Sequence, residues 1–163
     1  MNHEQQPPDR APHEAQKSRR WRVAVGIASL IYALVAGFYA TTNTVAVVRA
    51  TNAIDAAGGH VPAGAMALAV TIIVIFCLVA LAGLGVGIWN LAARATASAG
   101  PLIAAIAFAS ALTVLVAVFI LRSPSATNPV QVVAVAVNVL LVVRTVAMLR
   151  RERVPAGATA DPV

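Results

Sequence analysis

Apolar residues in this chain are gathered into four long blocks, and neither a half-buried strand nor a water-facing helix produces that pattern. The blocks cover about residues 23–48, 63–91, 101–121 and 130–149. Each is long enough to cross a hydrocarbon layer of about 30 Å, which takes roughly 20 helical residues. Prolines stand where a helix tolerates them, with Pro62, Pro101 and Pro129 at or just before a first turn. The fourth block contains VVAVAVNVLLVV, whose β-branched residues also suit a strand. Its full length and its stop at Arg150-Arg151 favour a helix, because a lone strand in lipid leaves its backbone unpaired. The predicted fold is all-α: an integral membrane four-helix bundle with four transmembrane helices. Residues 1–20 and 150–163 are polar and proline-containing and read as disordered cytoplasmic tails around a membrane domain at 21–149.

Charge sets the direction of threading. The side holding both termini and the 92–100 connection carries Arg10, Lys17, Arg19, Arg20, Arg22, Arg94, Arg144, Arg150, Arg151 and Arg153, whereas the other side carries only Arg49 and Arg122. The positive-inside rule then predicts an N-in/C-in arrangement. Trp21 and Trp89 fall at the same boundary and act as interface anchors, as do Arg144 and Arg150, whose long side chains can snorkel to anionic lipid headgroups. Arginine far outnumbers lysine and alanine and valine abound, a composition that suggests a bacterial cytoplasmic (inner) membrane. The chain is 60% apolar and 11% charged, too few charges to solvate a water-soluble surface of 163 residues. The high isoelectric point does not point to nucleic acid, because the basic residues cap apolar blocks and form no continuous face.

The stretch GLGVG at 83–87 raises the possibility of a phosphate-binding turn. A dinucleotide fingerprint requires glycine at position 88, which is Ile88, and an acid about 20 residues on, where none stands before Glu152. Close helix packing accounts for these glycines better. Membrane helices associate through small residues and polar contacts, since lipid is as apolar as leucine. Small residues recur every fourth position at Ser29, Ala33, Gly37 and Thr41 in the first block and at Ala105, Ala109, Thr113 and Ala117 in the third. Gly83 and Gly87 form the corresponding pair in the second block, with Gly85 on another face. The fourth block offers Gln131, Asn138 and Thr145 on one face, suited to interhelical hydrogen bonds or to contact with a partner or solute.

Chemistry is sparse. No Asp, Glu or His lies within a predicted span, as a proton-coupled carrier or a haem-binding bundle would require. Asp55 and His60 share a connecting loop without a nucleophile or a third metal ligand at a recognisable spacing. Cys77, the single cysteine, reads as a packing residue. The sequence therefore predicts a non-enzyme without catalytic, cofactor-binding or metal-binding residues. Two functions fit that expectation: a structural or accessory subunit docked on a larger membrane complex, or a homo-oligomeric uncoupled transporter or channel for a small solute.

Overall fold

The computed structural model describes residues 10–96, 98–122 and 129–153, and every regular element in them is helical. Helix α1 runs Arg10–Ala56, α2 Ala63–Ala92, α3 Gly100–Arg122 and α4 Pro129–Arg153, with a single 3-10 turn at Ala93–Ala95 after α2. All four contain a stretch long and apolar enough to cross a membrane. The α2–α3 connection and the outer ends of α1 and α4 form one end of the molecule, called here the terminal end. The α1–α2 connection, the last turn of α3 and the first turn of α4 form the far end.

Helix α1 is longer than its apolar block in both directions. Residues 10–20, expected to be disordered, are helical, because RAPHEAQKSRR is rich in good helix formers and continues an existing helix, so no new nucleus is needed. Pro12 falls in the first turn, where its missing N–H costs nothing. Residues 150–153 likewise continue α4; residues 1–9 and 154–163 lie outside the described residues. Toward the far end, α1 passes through Thr41-Thr42-Asn43-Thr44 without a break. Each of those side chains donates to the carbonyl four residues back, Thr41 to Gly37 (2.9 Å), Thr42 to Phe38 (3.0 Å), Asn43 to Tyr39 (2.8 Å) and Thr44 to Ala40 (2.8 Å). Polar side chains satisfied in this way do not oblige the helix to stop.

What does stop α1 is glycine. Gly58 has φ +74°, its N–H bonds to the Asp55 carbonyl (3.0 Å), and the Gly59 N–H reaches the Ile54 carbonyl (2.9 Å). This is a Schellman ending, which satisfies carbonyls that the last turn would otherwise leave open. The loop expected over 49–62 thereby shrinks to six residues, 57–62.

The helices pair as two antiparallel hairpins, α1 with α2 and α3 with α4, which meet mainly along α2 and α3. Between α1 and α2 the backbones nearly touch. A Cβ placed on Gly87 would lie 3.0 Å from the Gly26 carbonyl oxygen, and one on Gly26 would lie 3.1 Å from the Gly87 carbonyl oxygen. A Cβ on Gly83 would meet the Ser29 carbonyl oxygen at 3.0 Å and Phe108 of α3 at 3.1 Å. Farther out, Tyr39 stacks on Phe76 with ring centroids 5.5 Å apart. Buried side chains concentrate toward the terminal end: Val25, Ser29 and Ala33 on α1, Asn90 on α2, Leu102, Ala105 and Ala109 on α3, Thr145 and Leu149 on α4.

Candidate functional site

The polar side chains that this fold buries gather at the terminal end. Arg22 is only 2% exposed, and its Nη1 donates to the Ser98 carbonyl at 2.7 Å, so a side chain of α1 holds the α2–α3 connection. A charged donor on a backbone carbonyl makes a shorter and stronger bond than a neutral pair, one way in which a buried guanidinium is tolerated. One helix over, Asn90 is wholly buried. Its Nδ2 donates to the Val86 carbonyl of its own helix (2.9 Å) and to the Pro101 carbonyl of α3 (3.0 Å), which ties the end of α2 to the start of α3. Trp21 Nε1 donates to Thr145 Oγ1 at 3.3 Å, joining the first helix to the last, and Thr145 Oγ1 in turn donates to the Leu141 carbonyl at 2.7 Å. These three links, α1 to the α2–α3 connection, α2 to α3 and α1 to α4, make a clasp at one end of the bundle.

Two buried atoms stay without a hydrogen bond among the described residues: Oδ1 of Asn90 and Nδ2 of Asn138. For Asn90 the choice of amide face is explained by its two carbonyl partners, which require the donor side. Asn138 lies on α4 two helical turns farther along than Thr145, is 1% exposed, and keeps an unused donor inside the bundle.

The residues expected to line helix contacts divide by distance from the terminal end. Ser29, Ala33, Gly83, Gly87, Ala105, Ala109, Asn138 and Thr145 are buried, whereas Thr113 and Gln131 are half-buried. Ser29 and Thr113 also return their hydroxyls to their own helices, at Val25 (3.0 Å) and Ala109 (2.8 Å). A Cβ on Gly37 would meet nothing within 4 Å in this chain, and Thr41 beyond it is exposed. A strict four-residue step advances 400° around a helix and drifts about 40° at each repeat. The observed face instead alternates steps of four and three, through Ser29, Ala33, Ala36 and Ala40, and so keeps facing its neighbour. Among the anchors, Trp21 is half-buried by its bond to α4, while Trp89, Arg144 and Arg150 are exposed.

Sequence reasoning missed Gly26, Arg22 and Asn90. Each continues the same alternating step: Arg22 and Gly26 precede Ser29 by seven and three positions, and Asn90 follows Gly83 and Gly87 by seven and three. The signal was present in the spacing, hidden because Arg22 also counted among the boundary cations. No protein-family model, no curated protein and no solved structure matches this chain.

Proposed function

We propose that this chain is an integral membrane protein of the bacterial cytoplasmic membrane, with both termini in the cytoplasm, and that it serves as a non-catalytic accessory subunit of a larger membrane complex. The observation that supports this most is where its polar groups go. Arg22, Asn90, Trp21 and Thr145 bond between elements, and Ser29, Thr41, Thr44, Thr71 and Thr113 bond to carbonyls of their own helices. The outward faces are left to large apolar side chains, among them Leu34, Phe38, Leu68, Leu81, Val114 and Leu140. Such a surface is suited to lipid and to the apolar flanks of other membrane helices, and offers little for chemistry on a polar substrate.

The orientation rests on the arginines at the terminal end, where Arg19, Arg20, Arg94, Arg144 and Arg150 are all exposed and available to anionic headgroups. Labelling of single cysteines introduced at residue 2 and at residue 97, in a Cys77→Ala background, checks it: both react from the cytoplasmic side only. Reaction of either from the opposite side overturns the orientation.

A second reading, the uncoupled homo-oligomeric transporter or channel, is favoured by one residue. The unused Nδ2 of Asn138 is the kind of buried donor that a passing solute could meet. Purification in mild detergent separates the two readings. Recovery with unlike membrane proteins supports the accessory role. Recovery as a homo-oligomer alone, with solute flux in liposomes that Asn138→Leu abolishes, replaces it.

A further inference from the structure

Beyond the clasp, α3 and α4 continue side by side toward the far end. There they leave an open groove lined by Ala117, Ile120 and Leu121 of α3 and by Val132, Val135 and Ala136 of α4. The lining is entirely apolar, so water has no partner in it and does not fill it. Ala117 and Ala136 are the smallest of the six residues that line it. At its mouth, directly after Leu121, stands Arg122, exposed and in no ion pair among the described residues.

We infer that this groove is a site for an acidic phospholipid of the far-end leaflet, in which an acyl chain lies along α3 and α4 and a headgroup of net negative charge meets the Arg122 guanidinium. The placement is consistent with bilayer geometry. Arg122 closes the apolar span of α3 and Gln131 opens that of α4, so the mouth lies at headgroup depth and the floor among acyl chains. Arg122 supplies a fixed positive charge at that depth, which favours a headgroup of net negative charge over a zwitterionic one carrying the same phosphate. The inference rests on the membrane-spanning reading above and is independent of the accessory role.

Native mass spectrometry of the full chain, released from micelles containing phosphatidylglycerol or phosphatidylcholine with identical acyl chains, tests it. One lipid per chain is expected to be retained, with phosphatidylglycerol favoured about fivefold, the contribution of one basic residue at a membrane surface. Arg122→Gln should abolish that preference and leave retention at the phosphatidylcholine level, while Arg49→Gln, which removes an equal charge from α1, should change nothing. Ala136→Leu should reduce retention of both lipids at least tenfold, and Ala117→Leu, on the α3 side, serves where the first variant does not fold. Equal retention of the two lipids, or retention unchanged by the filling substitutions, overturns the site. So does efficient crosslinking of Val132→Cys into a dimer in a Cys77→Ala background, because a second copy would then occupy the groove. A chain that stays soluble without detergent overturns the membrane reading itself, whereas one that needs detergent and retains no lipid overturns the groove alone.

Discussion

Gly85 and Gly87 stand two positions apart on α2 and tolerate opposite things. A Cβ at Gly85 meets open space, whereas one at Gly87 would come within 2.8 Å of Leu30 and 3.0 Å of the Gly26 carbonyl oxygen. Gly87→Ala therefore forces α1 and α2 apart and is expected to cost about 1–3 kcal/mol, the usual penalty of overpacking. Gly85→Ala should leave stability unchanged or raise it slightly, as alanine is the better helix former. Thermal unfolding in detergent checks the pair, and equal losses would contradict the close approach at Gly87. Asn138 and Thr145 make a second contrast. Thr145→Val removes the acceptor of Trp21 and should lower stability by about 0.6 kcal/mol, the mean for such contacts in membrane bundles. Asn138→Leu removes a buried donor that has no partner and should raise the unfolding midpoint, since an unsatisfied group costs about 1–3 kcal/mol. A drop at Asn138 instead would mean that its amide is engaged by something outside this chain.

At the scale of elements, the four blocks of apolar residues gave the helices and their order, because length and hydrophobicity suffice to distinguish a spanning helix from a strand or loop. The ends were harder to read, and α1 explains why. Thr41-Thr42-Asn43-Thr44 has the composition of an interface or a turn, yet hydrogen bonds to its own helix remove the reason to stop. The true stop depends on one positive φ at Gly58, and Gly58-Gly59 reads in sequence as merely the middle of a loop. Gly58→Ala should cost about 1–2 kcal/mol locally, the penalty of a left-handed conformation for a residue with a Cβ. Faster hydrogen exchange at residues 54–59, with the rest of α1 unaffected, is the expected signature. The packing face was legible as far as a four-residue repeat remains in phase. That locates Ser29 and Ala33, loses Gly37, and overlooks Gly26 and Asn90, because a periodicity chosen one step too coarse accumulates its error along the helix.

For the molecule as a whole, the hairpins are unequal. Gly83 of α2 meets Ala33 of α1 and Phe108 of α3 at one level, and counting outward from there, α1 extends about nine residues, roughly 14 Å, past the end of α3. Helix α1 thus runs on beyond the last turn of α3, and the bonds of Arg22, Asn90 and Trp21 to other elements lie at the opposite end. Spin labels at Ala24 and Ala147, beside the clasp, should give a narrow distance distribution, whereas labels at Val48 and Val133 should give a broad one. Removing the clasp with Arg22→Gln and Trp21→Phe should broaden the first pair to match the second. Narrow distributions at both ends would show that the far ends are held by contacts other than these.

The bond from Trp21 to Thr145 spans 124 positions, from α1 to α4. Until α4 has been inserted, the indole lacks that acceptor and α3 lacks the helix against which it chiefly packs. Without α4 the indole would turn to the membrane interface, which suits it, and one face of α3 would turn to the bilayer. Closure of the bundle at the terminal end therefore waits on α4.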